Sequence, residues 1–443
     1  MRVLHLPYTY FPEPSGGTEV YVAELARALS SHAVASSVVF ASPARAESYE
    51  WEGVAVRRIS VPAPATPETL YSAGSATAVR EYLAAVEDIR PDVVHVHAYT
   101  PALNGTTVRA IAALGIPVVA TYHTPTVTCQ RGTLLRYGSI LCDGAILVGR
   151  CSSCVLQRSG APRPIAWVVG HLPEVVGRVV HRAGGDARPA RALRMPELMR
   201  IRRQDTLAFL AVPAAIVAPA PWVRDVLRLN GVPEEKILVS PQGVSVEQRR
   251  AAPGDRTRAP GALRAAIFGR LDRQKGIHVV IEALAAVPGL ALSLDVIGAA
   301  DESEKYVQEL RALAARDPRV TLRAGVPRSE VVGTIARYDV LLVPSQGRET
   351  GPLVVLEAKA AGVPVIGSSI GAISDHVRDG IDGLLVVPDS RAEWANALQR
   401  VVNERELLER WRAAILPPRT MHDVAAEMVG LYDRVARGLG VAA

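Results

Sequence analysis

Residues 263–286 read LRAAIFGRLDRQKGIHVVIEALAA, and their order decides the fold. The apolar run 263–268 has the length of one buried strand. A turn opened by Gly269 and closed by Gly276 follows, and residues 277–286 then carry apolar side chains at helical spacing. The same alternation continues outward in both directions. Towards the C-terminus it predicts strands at 292–297, 320–324, 340–344 and 363–367, with helices at 304–316 and 353–362. Towards the N-terminus it predicts strands at 3–6, 93–96, 118–122 and 216–218, and a helix at 18–29 capped by Thr18 or a neighbour. Parallel strands need crossovers about as long as these helices, so both halves read as α/β, doubly wound parallel sheets.

A chain of 443 residues is long for one core, and two domains are expected. With 49% apolar and 21% charged residues, neither half has the composition of a disordered chain. The aperiodic, Pro-, Arg- and Gly-rich segment 247–261 is the expected linker. It separates an N-terminal domain (1–246) from a C-terminal one (262–417), and a last segment (418–443) is expected to form a helix that packs back on the first domain. The net charge of +6 owes much to arginines between Arg182 and Arg203. Only 5% of residues are aromatic and none interleave with the basic ones, which disfavours a nucleic-acid groove. A solvated helix face is the plainer reading of residues 195–203; attraction of a phosphorylated or lipid-linked acceptor, or of a membrane surface, is the functional one. No secretory signal pattern opens the sequence, and the apolar stretch 206–223 is broken by Pro213, Pro219 and Pro221. A cytoplasmic protein, with at most peripheral contact at the inner face of a membrane, is therefore expected. The GxGxxG fingerprint is missing after both first strands, which disfavours a nicotinamide-dependent oxidoreductase.

In open parallel sheets ligands bind beyond the carboxyl ends of the strands. Several glycines and titratable residues fall there: Gly16 and Gly17, His123, Gly269 and Arg270, and Glu349. In GRLDRQKG, Arg270 and Lys275 flank a turn where a diphosphate could meet two cations and the amides of the following helix; two solvated cations in a surface loop fit the same residues. In ETGPLVVLE (349–357), Glu349 stands in a loop and Glu357 one turn inside a helix. Sugar hydroxyls and a ribose diol are suitable partners for the two carboxylates, and the amides of Gly351 and Leu353 would face phosphate charge. Two solvated or helix-terminal carboxylates are the lesser alternative, given their position after a strand. A lone histidine at a strand end, such as His123, is often a packed residue.

GRLDRQKG together with SQGRETGPLVVLEAKAAGVPVIGSSIGAISDHVRDGIDGLLV resembles the nucleotide-sugar domain of glycosyltransferase family 4. GGTEVYVAELARAL, PDVVHVHAY and VVATYHTP resemble its acceptor-side domain. The resemblance implies a GT-B fold, two Rossmann-like domains facing each other across a cleft. It also implies retaining transfer of a hexosyl unit from a nucleotide-diphosphate sugar, UDP-linked before GDP-linked, to a sugar, lipid-linked or small-molecule acceptor, without a catalytic metal ion. Arg270 and Lys275 would neutralise the diphosphate, Glu349 would hold sugar hydroxyls, Glu357 the ribose, Gly17 would approach the phosphates, and His123 would stand beside the reacting sugar. Where many members have Gly-Phe-Gly, this chain has Thr350-Gly351-Pro352; Pro352 lacks an N–H, so one phosphate donor is missing and the loop is stiffer. A sugar-nucleotide epimerase and a non-catalytic sugar-nucleotide-binding protein are the rival readings.

All four cysteines, Cys129, Cys142, Cys151 and Cys154, fall in one short insertion, the last pair as CSSC. Four thiolates at such spacing suit a closed tetrahedral structural zinc site, expected here to clamp 129–154 over the cleft and shape the acceptor site. Two disulfides and four unlinked thiols remain the alternatives.

Overall fold

The computed structural model describes residues 1–13, 16–72, 74–184, 187–245, 261–299 and 304–441. The expected linker, apart from Gly261, lies outside them. The chain divides into two compact units, Met1–Pro241 with Val424–Ala443, and Gln242–Asp423.

The first unit contains the strands β1 (Arg2–Leu6), β2 (Ala35–Ser42), β3 (Glu47–Trp51), β4 (Val54–Ser60), β5 (Val93–Val96) and β6 (Val118–Thr121). A small hairpin, β7 (Leu135–Arg136) and β8 (Ile140–Leu141), stands apart, and β9 (Ala215–Ala218) and β10 (Ile237–Val239) complete the set. The main sheet runs β10-β9-β6-β5-β1-β2-β4-β3, parallel except for the β3–β4 edge. The first helix, Gly17–Ser30, has Gly16 rather than Thr18 at its cap: the Glu19 carboxylate accepts the Gly16 amide at 2.8 Å, the half of a capping box that needs no side chain on the cap residue.

The second unit contains β11 (Leu263–Phe268), β12 (Leu292–Ile297), β13 (Val320–Arg323), β14 (Val340–Val343), β15 (Val365–Ser368) and β16 (Gly383–Val386). They are all parallel, in the order β13-β12-β11-β14-β15-β16. Counted within the unit this is 3-2-1-4-5-6, the order of the dinucleotide-binding fold. The central strand β14 is apolar and buried throughout because both faces are covered, whereas β11 and β12 each carry polar residues, Arg264, Ser293 and Asp295, at partly exposed positions. Ala265, Ile267, Val340 and Leu342 join one core with Trp394 and Trp411, while Ala266, Leu341 and Val343 join the other with Val355 and Ile373.

The Arg-rich stretch is less solvated than the sequence suggests. In the helix Met195–Ala211, Arg202 is buried with its guanidinium 3.9 Å from the Tyr99 ring centroid, donates to Ser72 at 2.9 Å and also bonds the Thr126 carbonyl. Arg194 is buried between Glu68 and Glu197. Buried guanidinium groups need such partners, and helical periodicity does not reveal carboxylates a hundred residues away. Among the described residues no helix is long and apolar enough to cross a membrane.

Candidate functional site

In a doubly wound sheet the crevice opens where strand order reverses. In the second unit that point lies between β11 and β14, and the chain leaving each strand carries one of the two predicted motifs.

Beyond β11, Asp272 caps the 3₁₀ turn Arg273–Lys275 by accepting the amides of Gln274 and Lys275 at 2.9 and 3.2 Å. Gly276 closes the turn at φ +65°, and a Cβ there would stand 1.9 Å from the Pro344 carbonyl oxygen, so only glycine lets this turn pass under the end of β14. The Gln346 amide donates to the Gln274 carbonyl at 2.6 Å, tying the two loops together. Beyond β14, Ala372 donates its amide to the Glu349 carbonyl at 3.0 Å, which holds that residue's backbone.

These constraints bring Lys275 and Glu349 together. Lys275 Nζ donates to Glu349 Oε1 at 2.6 Å, and Ser345 Oγ donates to the same oxygen at 2.8 Å. Burial acts to raise the Glu349 pKa, but the Lys275 charge and the two hydrogen bonds outweigh it and hold the carboxyl below its ordinary range. Arg270 is 77% exposed and its nearest carboxylate contact is a loose one, 3.6 Å from Asp272. The loop thus offers one cation fixed on a carboxylate and one open to solvent.

Two expectations about amide donors need correction. After β11, the amide of His278 is taken by the Tyr306 hydroxyl at 3.4 Å, so with Gln274 and Lys275 already spent on Asp272 this loop supplies charge more than N–H groups. At the helix Leu353–Ala360, Pro352 (φ −76°, ψ 82°) centres an inverse γ-turn in which the Leu353 amide donates to the Gly351 carbonyl at 2.9 Å. Leu353 therefore has its N–H engaged. Gly351 is held against Gln242: a Cβ on it would lie 2.3 Å from the Gln242 amide oxygen. Glu357 is buried and receives Arg328 Nη1 at 3.0 Å. Gln242, Arg328 and Ser345 were missed; no local spacing marks them.

In the first unit the strand order reverses between β1 and β5, and the corresponding side chains are histidines. His5 pairs in register with His95. His5 Nε2 lies 3.3 Å from Ser36 Oγ and its Nδ1 3.0 Å from His97 Nε2; His97 Nδ1 lies 3.0 Å from His123 Nε2. His95 stands beside this chain, 2.7 Å from both the Tyr432 hydroxyl and Thr121 Oγ1. All four rings are buried, which lowers the pKa of His5 and His123 to about 3 and those of His95 and His97 well below the usual value. His123, packed edge-on to Tyr21 at 4.7 Å, is thus not a lone histidine but the end of a neutral relay. The signal was present in HVH (95–97), which puts two histidines on one face of a strand beside His5. His5, His95 and His97 also have ligand atoms within 4.8 Å of one another, the one group of this kind among the described residues able to hold a metal ion. Gly16 and Gly17 stand at the start of the first helix, beyond β1.

The sequence relatives agree with this layout. The model described as Glycosyltransferase Family 4 matches residues 15–151, and that for Glycosyl transferases group 1 matches residues 255–415. The chain belongs to glycosyltransferase family 4. Curated relatives of this family 4 chain include proteins named D-inositol 3-phosphate glycosyltransferase. The one from Nocardia farcinica is 33% identical over 42% of this chain and 44% of its own length, and the one from Actinosynnema mirum 35% identical over 38% and 43%. The chain thus spans less than half the length of these relatives. Among solved structures, sucrose-phosphate synthase from Thermosynechococcus elongatus matches with a TM-score of 0.66 and 19% identity, each chain 99% covered. Anabaena HepE in complex with UDP-glucose matches at 0.60 and 15%, again 99% of each. At such identities the likeness shows the fold, which is of the GT-B type.

Proposed function

We propose that this chain is a retaining glycosyltransferase that moves a hexosyl unit from a nucleotide-diphosphate sugar, UDP-linked before GDP-linked, to a hydroxyl acceptor without a catalytic divalent cation. The observation that carries the proposal is the Lys275–Glu349–Ser345 cluster at the strand-order reversal of the second unit, with Arg270 beside it. Its chemistry suits a sugar diphosphate: two cations for the pyrophosphate, and an ionised carboxylate for sugar hydroxyls. When the glycosidic bond breaks, negative charge grows on the departing β-phosphate. Lys275 and Arg270 stabilise it, and preorganised charges of this kind are worth about 10²–10³ in rate. Family membership and a structural neighbour solved with UDP-glucose support the same reading.

His123 acts in this proposal as a neutral hydrogen-bonding group towards the reacting sugar, because burial lowers its pKa to about 3. Glu357, fixed by Arg328, is assigned to the ribose. Gly16 and Gly17 at the first helix, and Gly351, are assigned to the donor phosphates. The relatives' printed name makes D-inositol 3-phosphate the first acceptor to try. Peripheral contact with an anionic membrane belongs to the proposal as well: Trp167, Val168, Val175 and Val179 are exposed on short helices that also carry Arg163 and Arg178.

The test is incubation with UDP- and GDP-sugars, with and without D-inositol 3-phosphate, following release of nucleoside diphosphate and the anomeric configuration of the product. Release with the donor's configuration kept, unaffected by added magnesium or manganese, is expected. Isomerised donor would point to an epimerase, and binding without turnover to a non-catalytic protein; either overturns the proposal.

A further inference from the structure

The insertion between Cys129 and Cys154 is not used by the proposed transfer, yet it has the organisation of a site. Cys129, Cys142, Cys151 and Cys154 all line one cavity of about 30 Å³ in the first unit. We propose that these four thiolates bind one zinc ion, a structural centre independent of the sugar-transfer reading.

Three separate pieces of backbone deliver the cysteines. Cys129 follows the 3₁₀ turn Pro125–Val127, and its carbonyl accepts the amide of Gly132 (φ +71°) at 2.9 Å. The hairpin β7–β8 then returns the chain, and Cys142, directly after β8, donates its amide to the Leu134 carbonyl at 2.8 Å. Cys151 and Cys154 stand one turn apart in the helix Val148–Arg158, so they share a face. Val127 of the turn and Leu135 of the hairpin are buried, and an ion joining both segments to the helix would add a cross-link to that packing.

Burial raises the thiol pKa of Cys142 and Cys151, so without a bound ion these two are thiols, and the surrounding arginines would help offset the charge of a bound tetrathiolate. One divalent ion with four thiolates carries a net charge of −2, and Arg131, Arg136 and Arg150 line the same cavity. Tyr137 directs its backbone N–H at Cys154 Sγ from 3.4 Å, and Arg131 Nη1 reaches the same sulfur at 3.8 Å. Amide-to-sulfur bonds of this kind orient ligands and disperse their charge. The cavity has room for about one water-sized group, which suits a single ion. A closed tetrahedron of four sulfurs suits zinc, which is redox-inert and is held this way in structural sites.

The sulfurs stand wider than the bound geometry. Zn–S bonds of about 2.3 Å put tetrahedral sulfurs roughly 3.8 Å apart, whereas the only group of three or more described ligand residues within 4.8 Å is the histidine triad. Binding is therefore expected to draw the cysteine side chains inward by rotation. The triad is the rival location, but its ring nitrogens are already joined to one another and to Ser36, Thr121 and Tyr432.

The experiment is elemental analysis of the full chain purified without added chelator, with zinc release followed during titration by an organomercurial. One zinc per chain, released by four equivalents, is expected, and Cys151→Ser/Cys154→Ser should lower the metal content to background. Should that variant not fold, cobalt exchanged into the wild-type chain should show the ligand-field bands of a tetrahedral tetrathiolate. Metal-free protein with four free thiols, two disulfides found by mass spectrometry, iron in place of zinc, zinc retained by the double variant, or cobalt bands lacking thiolate character would each overturn the proposal.

Discussion

The two units place chemically opposite side chains at equivalent positions. At the strand-order reversal of the second unit, the loops after β11 and β14 supply a half-buried ion pair, Lys275–Glu349, and the exposed Arg270. At that of the first unit, β1, β5 and the turn after β6 supply imidazoles that burial keeps neutral. The topology fixes where a ligand can approach, and residue choice then decides what it meets. A charged, solvent-accessible site suits a pyrophosphate, whose own charge repays the cost of stripping water from the cations. A neutral relay suits the orienting of one imidazole, His123, without placing a charge in the interior.

Removing the charge on one side should have the largest effect. Arg270→Ala with Lys275→Ala is expected to lower turnover about 10³-fold while the circular dichroism spectrum is retained. Glu349→Gln comes next, with a loss of roughly 10²-fold in kcat/KM, because the amide neither holds Lys275 as an ion pair nor accepts as strongly from sugar hydroxyls. On the neutral side, His97→Gln should cost about tenfold in kcat with little change in donor KM, since it frees the orientation of His123 without touching the donor.

Acid should separate the two regions in stability, as read by denaturant unfolding between pH 7 and 4. The buried histidines titrate below their unfolded value of about 6.5. As the pH falls below that value the unfolded chain takes up protons that the folded chain refuses. The first unit should then lose about 1 kcal/mol per histidine per pH unit. Glu349, depressed by Lys275, contributes stability above the ordinary carboxylate pKa, and that contribution should disappear only as the pH falls through the carboxylate range. The second unit holds two histidines that burial also depresses, His278 and His376, against four in the first, so it should lose stability less steeply; an equal loss in both units would contradict the neutral relay.

The strands and helices were legible because βα periodicity is local. The interior runs 263–268, 292–297 and 340–343 are mostly apolar, and Gly269, Gly298 and Pro344 mark their ends. Side-chain partners were less legible. Nothing within ten residues of Glu349 announces that Lys275, 74 positions earlier, donates to it, though the placement of both after strands indicated the crevice. Arg328 against Glu357, and Ser36, His5 and His97 behind His123, depend on which strands become neighbours. The amide of Leu353 escapes the sequence for a different reason: Pro352 reads only as a missing donor, whereas its φ and ψ also close the γ-turn that engages the next N–H.

The central claim is that the Lys275 ammonium holds the leaving diphosphate. Calorimetric titration of UDP into the wild-type chain and into Lys275→Met tests it without requiring the acceptor. The account predicts a Kd at least about tenfold weaker in the variant, a loss of about 1.4 kcal/mol or more that shrinks as ionic strength rises. Equal affinity in a folded Lys275→Met protein would contradict it.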